Sequence, residues 1–217
     1  MNTHTQRFKN SKHVIFDWNG TLLDDVWPSM LAINRVLVSQ QENMIGLNDY
    51  QETFCFPVKV WYDEIGLDVS RFEELNNDYF EHFEQLNIKP NLFEATERVL
   101  AYLAGQGVEC HIVSAAEENL LRSEVEEHGI SQYFASVRGC NNSRGYCKKH
   151  VMGRWIKDNR GVDSRDVIFV GDTVHDYEVA EHFNVECYLV AEGHNSKDVL
   201  ESTGACVFDS LEDLMEE

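Results

Sequence analysis

The segment HVIFDWNGTLLD, residues 13–24, carries the pattern that decides the fold. It begins with a short apolar run, residues 14–16, which ends at Asp17 and is followed by a turn with Gly20 at its bend. An apolar run of this length, bounded by turn residues, is typical of a strand buried in a parallel sheet. Ligands of open α/β sheets bind just past the carboxyl ends of such strands. Asp17 therefore stands where a functional side chain is expected.

Short apolar runs recur along the chain, and segments with helical spacing of apolar residues lie between them. The runs occupy residues 108–113, 167–170, 185–190 and 205–208, with a weaker pattern at 135–137. Helical spacing occurs at residues 94–104, 117–128, 150–157 and 177–183. Strands that alternate with helices are typical of α/β proteins. The sequence therefore predicts an α/β fold, with a Rossmann-like parallel sheet and helices on both faces.

The segment 25–89 has a different pattern. Its apolar residues recur at helical spacing, and none of it reads as a strand. Pro90 marks the return of the chain to the sheet. We therefore expect a small all-α helical-bundle cap, residues 25–89, inserted after the first strand of a core that comprises residues 1–24 and 90–217.

The chain is strongly acidic, because 18 Lys and Arg against 38 Asp and Glu give its 217 residues a formal net charge of −20. Such a surface repels phosphate backbones, so neither nucleic acid nor an anionic membrane is expected as a partner. No apolar run approaches the ~18 residues of a membrane span, and residues 1–12 lack the apolar centre of a signal peptide. Six cysteines without a C-x-x-C pair favour free thiols and a reducing, cytoplasmic location. Monomer and homodimer both stay open.

Three predicted strands end in polar residues that would share one edge of the sheet. These are Asp17, Ser114 and Asp172, with Asp176 shortly after the last of them. In a parallel sheet these ends converge on one crevice. Crowded carboxylates are costly without a cation, and carboxylate and carbonyl oxygens suit Mg²⁺. The pattern therefore favours a Mg²⁺ site over the alternative, in which each Asp only caps the helix that follows it.

These motifs resemble those of the haloacid dehalogenase superfamily of phosphotransferases and hydrolases. The first family motif, D-x-D-G-T-L-x-D, matches residues 17–24 except at Asn19. The second, a Ser or Thr that ends a strand, matches Ser114, and the fourth, G-D-x-x-x-D, matches residues 171–176. The size and placement of the cap are most similar to those of the phosphoglycolate phosphatase branch.

The resemblance implies a Mg²⁺-dependent phosphatase that acts on a small phosphorylated metabolite, with Asp17 as the nucleophile that forms an aspartyl-phosphate. The third family motif is a Lys upstream of the fourth, for which Lys148 is the first choice and Lys149 the second. The implied metal ligands are Asp17, Asp172, Asp176 and the main-chain carbonyl of Asn19. The implied phosphate-binding residues are Gly20, Thr21, Ser114 and Lys148. The implied catalytic residues are Asp17, Asn19, Ser114 and Lys148.

Asn19 is the departure from the family pattern. In family phosphatases an Asp at this place protonates the leaving alkoxide and then activates water, which an amide cannot do. General acid–base help of this kind contributes roughly 10²–10⁴ in rate. Asn19 therefore predicts a slow phosphatase, a substitute acid, or a leaving group that needs no proton. His175, inside the fourth motif, is a candidate substitute and otherwise a loop histidine.

Two other functions are compatible with Asn19. Phosphonoacetaldehyde hydrolases have D-W-A-G-T where this chain has residues 17–21, and they cleave a C–P bond through a Schiff-base lysine in the cap, for which Lys59 is the main candidate. A phospholigand-binding regulator that has lost turnover is the second alternative. Substrate plus borohydride would trap the Schiff base, whereas a regulator would bind phosphoesters without releasing phosphate.

The cap residues that would select the substrate are not apparent from the sequence. Tyr50, Phe54 and Trp61 are candidates for the lining of a pocket, but aromatic residues in such segments more often pack between helices. The sequence therefore predicts a reaction class without its substrate.

Overall fold

The computed structural model of the protein describes residues 7–8, 10–140 and 148–215. Its centre is a six-stranded sheet with the strand order β5-β4-β1-β6-β7-β8, and every neighbouring pair in it is parallel. The strands are β1 His13–Phe16, β2 Leu23–Asp24, β3 Asn91–Leu92, β4 Glu109–Glu117, β5 Phe134–Cys140, β6 Val167–Gly171, β7 Glu186–Val190 and β8 Cys206–Phe208. The strands β2 and β3 form a separate antiparallel pair.

Helices connect the strands and cover both faces of the sheet. They are α1 Val26–Ser39, α2 Leu47–Thr53, α3 Val58–Glu64, α4 Phe72–Gln85, α5 Thr96–Gly105, α6 Glu118–Glu127, α7 Lys148–Asp158, α8 Val174–His182 and α9 Lys197–Glu201. Apolar residues of α5 and α6 belong to one buried cluster, and those of α7, α8 and α9 to another. The predicted α/β fold with a Rossmann-like parallel sheet is confirmed.

The strand β1 lies between β4 and β6, so its backbone is hydrogen-bonded on both sides. Val14 and Phe16 face the cluster under α5 and α6, whereas Ile15 faces the cluster under α7 and α8. All three side chains are fully buried, and each such burial contributes about 1.5–3 kcal/mol. A run without polar residues is therefore what this position requires.

The observed elements extend beyond several of the predicted bounds. The strand β4 continues to Glu117, beyond Ser114, in which the predicted strand ends. The helix α7 already includes Lys148 and Lys149, ahead of the predicted start at residue 150, and α8 begins at Val174 rather than at residue 177. The earlier start of α8 has a local cause, because Thr173 and Asp176 form a capping box at its N-terminus.

Residues 25–89, all of which the structure describes, carry α1 to α4 and no strand. Their apolar side chains form a third buried cluster, which includes Ile33, Leu37, Trp61 and Leu75. The pair β2–β3 stands where the chain leaves the sheet and returns to it, with Leu23 opposite Leu92. Sequence analysis does not predict this ribbon, because two residues are too few for a pattern. The division into a core and a cap at residues 24/25 and 89/90 stays a prediction.

The cysteines depart from the expectation of free thiols. Cys140 is disulfide-bonded, whereas Cys55, Cys110, Cys187 and Cys206 are free. The expectation was therefore wrong for Cys140. Within the described residues, no helix is both long enough and apolar enough to span a bilayer.

Candidate active site

Three buried carboxylates meet at the carboxyl end of the sheet. Asp17 follows β1, Asp172 follows the neighbouring β6, and Asp176 lies in the first turn of α8. One carboxylate oxygen of each lies within 4.8 Å of the other two. Each of the three side chains is nearly or fully buried. The convergence predicted from the strand ends is therefore present in the structure.

The ammonium of Lys148 lies among these carboxylates. Its Nζ donates to Asp17 Oδ2 at 2.5 Å and to Asp176 Oδ1 at 2.6 Å, and the residue is 1% exposed. Burial alone would lower the pKa of Lys148, but the charges of Asp17 and Asp176 outweigh it and raise this pKa. Lys148 is therefore a permanent cation. Lys149 is exposed, with its Nζ 4.0 Å from Glu178, so the geometry selects Lys148 as the lysine of the cluster.

The neighbouring cations only partly offset the cost of burying the negative charges of Asp17 and Asp172. Burial raises the pKa of Asp17 to about 6, although Lys148 acts in the opposite direction. Burial likewise raises the pKa of Asp172 to about 7, against the charge of His194. Asp17 Oδ1 is buried without a hydrogen-bond partner among the described residues. Buried carboxylate oxygens with lone pairs to spare are the donor set that Mg²⁺ prefers, so the residues fit that ion.

Among the described residues, the Asp176 carboxylate accepts more hydrogen bonds than that of Asp17 or Asp172. Its Oδ2 accepts from the backbone N–H of Asp172 at 3.2 Å, and from the backbone N–H and hydroxyl of Thr173 at 3.0 and 2.6 Å. Burial would raise the pKa of Asp176, but Lys148 outweighs it and lowers this pKa. Asp176 therefore fixes the start of α8 and orients Lys148.

The turn after Asp17 packs against Asp172. Thr21 Oγ1 donates to Asp172 Oδ1 at 2.6 Å. Gly20 has a φ of +70°, and a Cβ built on it would stand 2.2 Å from Asp172 Oδ2. Gly20 is therefore required both by its left-handed backbone and by the close approach of the carboxylate. Ser114 is 1% exposed, and its Oγ accepts from the backbone N–H of Ala116 at 3.1 Å, at the end of the sheet that carries Asp17.

Asn19, which is half-buried, belongs to a second network centred on the buried Asp25. Asn19 Nδ2 donates to Asp25 Oδ2 at 2.8 Å, and the backbone N–H of Gly20 donates to Asp25 Oδ1 at 2.8 Å. His194 Nε2 lies 3.3 Å from Asp25 Oδ1. Burial would raise the pKa of Asp25, but His194 outweighs it and lowers this pKa. Burial would lower the pKa of His194, but Asp25 outweighs it and raises this pKa to about 9.

Sequence analysis missed both Asp25 and His194. His194 comes shortly after β7, and its backbone N–H donates to Asp172 Oδ2 at 2.8 Å. The rule that identifies Asp17, a polar residue after a buried strand, applies to His194 as well and could have found it. Asp25 directly follows the first motif and was assigned to the start of the cap. Nothing in the sequence indicates that it is buried.

The inserted segment contacts the core beside this network. Tyr50 Oη lies 2.9 Å from His194 Nδ1, and Gln51 Nε2 donates to the carbonyl of Gly193 at 2.7 Å. Asn195 Nδ2 donates to the carbonyl of Phe54 at 2.7 Å. Of the three candidate pocket residues, Tyr50 and Phe54 therefore contact the core. The described contacts of Trp61 lie within the insert. Its ring packs on the rings of Tyr50, Phe54 and Tyr62, and its indole N–H donates to Thr53.

His175, the candidate substitute acid, also lies where the inserted segment contacts the core. Its ring stacks on Phe56 with centroids 4.8 Å apart, and its Nδ1 is 3.6 Å from Glu178. Burial, then the charge of Lys148, lowers the pKa of His175. A neutral imidazole packed on an aromatic ring is more readily explained as part of the contact than as an acid.

A comparison with known families identifies the chain. The family model of the haloacid dehalogenase-like hydrolases matches residues 14–190. The chain belongs to this family. The resemblance found in its motifs is confirmed, and the protein is a hydrolase by family.

Individual relatives are distant but cover nearly the whole chain. "Phosphoglycolate phosphatase 1" of Pseudomonas aeruginosa is 21% identical over 93% of this chain and 78% of its own length. A phosphoglycolate phosphatase of Vibrio parahaemolyticus is 22% identical over 94% of this chain and 95% of its own. Among solved structures, a predicted phosphatase from Clostridium acetobutylicum superimposes with a TM-score of 0.78 at 20% identity, covering 94% of this chain and 96% of its own. The structural match supports the fold alone.

Replacing Lys148 by methionine is expected to destabilise the metal-free protein by about 3–5 kcal/mol, because Asp17 and Asp176 lose their buried cation. Chemical denaturation measures the free energy of unfolding. Lys149→Met is the matched control, and its exposed side chain predicts a change within about 0.5 kcal/mol. Equal effects of the two substitutions would contradict the assignment of the buried cation.

The raised pKa of Asp172 predicts a pH-dependent stability in the metal-free protein. Because burial raises its pKa from the ordinary 3.8 to about 7 in the fold, the stabilisation from its proton is complete below about pH 4 and is lost as the pH rises through about 7. Asp172→Asn removes this loss. The variant should therefore gain at least about 1 kcal/mol relative to the wild type between about pH 5 and about pH 8. Urea denaturation in EDTA at the two pH values measures the gain, and a constant difference would contradict the burial effect.

Proposed function

We propose that the protein is a Mg²⁺-dependent phosphatase that acts on a small phosphorylated metabolite through an aspartyl-phosphate on Asp17. The observation that carries this proposal is the buried Asp17 carboxylate, whose Oδ2 is held by Lys148 while its Oδ1 has no partner among the described residues. A carboxylate that is oriented on one oxygen and free on the other is suited to attack a phosphorus atom.

The metal ligands would be Asp17, Asp172 and the main-chain carbonyl of Asn19, with Asp176 behind them. Bound there, Mg²⁺ would offset the negative charge of the phosphoryl group. The protein's own residues place the ligands, because Thr21 and the backbone of His194 each hold one oxygen of Asp172. Asp176 has the least capacity to ligate, since its Oδ2 already accepts three hydrogen bonds.

In the reaction, an oxygen of Asp17 forms a bond to phosphorus while the ester P–O bond breaks and the leaving alkoxide takes a proton from solvent. Water then attacks the phosphorus of the acyl-phosphate, which restores the carboxylate and releases inorganic phosphate. Lys148 would lower the energy of both steps by its charge beside the transferred group. The Ser114 hydroxyl would donate to a phosphoryl oxygen.

Asn19 limits the rate in this scheme. Its side-chain amide donates to Asp25, and it has no proton of suitable acidity for the leaving alkoxide. The hydrogen bond fixes the turn between Asp17 and Gly20 instead. We therefore expect turnover that is slow for a phosphatase of this family.

The proposed substrate class follows from the relatives and from the insert. The relatives named above are phosphoglycolate phosphatases, and we propose that residues 25–89 act as the cap that covers a similarly small phosphoester. Tyr50, whose hydroxyl lies 2.9 Å from His194 Nδ1, is the cap residue that we propose to contact this substrate. Phosphoglycolate is therefore the first compound to test.

Phosphate release from a panel of phosphorylated metabolites, with Mg²⁺ and with EDTA, tests the proposal. We expect Mg²⁺-dependent release that Asp17→Asn abolishes, because the amide is not a nucleophile. Asp198→Asn, an exposed substitution on α9, is the matched control and should release phosphate as the wild type does. Release that persists in Asp17→Asn would refute the nucleophile.

Asn19→Asp should raise phosphate release by about 10²-fold, because the introduced carboxyl can protonate the leaving group. The same carboxyl would face Asp25 Oδ2, to which the amide now donates at 2.8 Å, and repulsion there would favour its protonated, acid-competent form. Asn19→Ala is the control, since it removes the hydrogen bond without supplying an acid. An increase in both variants would show that the amide is inhibitory for another reason.

The two alternatives make different predictions. For C–P cleavage, the candidate Schiff-base residue Lys59 is exposed, with its Nζ 6.0 Å from the ring centre of Phe72, whereas such a lysine needs a desolvated site. Asn19 favours a regulator without turnover as the second candidate. Phosphoester binding by folded protein, with no phosphate released from any compound and no trapping by borohydride, would establish it.

A further inference from the structure

Three metal-ligating side chains converge at the end of the sheet opposite Asp17. His13 is the first residue of β1 and pairs in register with Glu109, the first residue of β4. His111 lies two residues further along β4, and side chains at this spacing share a face. The three residues belong to neither the acidic cluster nor the proposed reaction.

The three candidate ligand atoms lie close to one another. His13 Nδ1 lies 3.3 Å from His111 Nε2 and 3.4 Å from Glu109 Oε2, while His111 Nε2 lies 4.0 Å from Glu109 Oε2. Ligands about 2.0–2.1 Å from a tetrahedral Zn²⁺ stand about 3.3–3.4 Å from each other. Two of the three separations already have this value. The third involves Glu109, whose side chain is 60% exposed and therefore free to adjust.

The two imidazoles are held in place by their surroundings. His111 Nδ1 lies 2.9 Å from the hydroxyl of Ser136 on β5, a contact that fixes the ring and leaves Nε2 directed at His13. Both rings also contact Trp155 edge-on, at 5.0 and 5.9 Å between centroids.

We propose that His13, Glu109 and His111 form a second metal site, which binds one Zn²⁺-like transition-metal ion and links the first residues of β1 and β4. Two imidazoles and one carboxylate suit Zn²⁺, Ni²⁺ or Cu²⁺, whereas Mg²⁺ prefers oxygen ligands only. The site is thus chemically distinct from the acidic cluster. With three protein ligands, the fourth position is left to solvent.

Zn²⁺ binding to the metal-stripped protein, measured by competition with a chromophoric chelator in millimolar Mg²⁺, tests the site. The wild type should bind one ion that His13→Gln weakens at least tenfold. His150→Gln, an exposed histidine on α7, is the matched control and should bind as the wild type does. All variants keep the same cysteines and the same acidic cluster, so any difference between them reports on His13.

A second variant and a second measurement distinguish the loss of a metal ligand from a folding defect. Glu109→Gln alters an exposed side chain and should also weaken binding, while circular dichroism verifies the fold of each variant. Zn²⁺ should raise the melting temperature of the wild type more than that of His13→Gln, because the ion joins two strands. Absence of Zn²⁺ binding in the wild type, or binding unchanged in both His13→Gln and Glu109→Gln, would overturn the proposal.

Discussion

The buried ion pairs of Lys148 hold together three parts of the fold. Its ammonium joins the end of β1, through Asp17, to the start of α8, through Asp176, and the lysine itself belongs to α7. A cation without contact to water is stable there only because two carboxylates surround it, and each carboxylate is ionised more readily because of the cation. The position of Asp17, and with it the proposed chemistry, therefore depends on this one side chain.

The parts of this arrangement that the sequence predicts are those set by local pattern. The apolar run before Asp17 predicts β1, and polar residues after β1 and β6 predict the meeting of Asp17 with Asp172, because parallel strands end at one edge. The choice between Lys148 and Lys149 does not follow from pattern, since it depends on which way the first turn of α7 faces. Asp25 escapes prediction because its partner, His194, lies far away in the sequence, whereas His194 itself follows β7 and the strand-end rule could have found it.

Asn19 is better matched to its surroundings than its departure from the family motif suggests. Asp25 already accepts from the amide of Asn19 and the backbone of Gly20, and its charge is balanced by His194. A carboxylate in place of the amide would add a second buried negative charge to a network with one imidazolium. The amide therefore stabilises the turn after Asp17 by its hydrogen bond to Asp25, at the expense of the acid catalysis that an Asp would supply in the proposed reaction.

The ribbon of β2 and β3 has a consequence for the length of the insert. Because Leu23 is paired with Leu92 and Asp24 with Asn91, everything between them is a loop whose two ends are already fixed side by side. Lengthening or shortening such a loop changes its closure entropy only with the logarithm of its length. Changes in the length of the insert are therefore expected to have little effect on the parallel sheet, so the helices of residues 25–89 can be gained, lost or exchanged while Asp17, Asp172 and Lys148 keep their places.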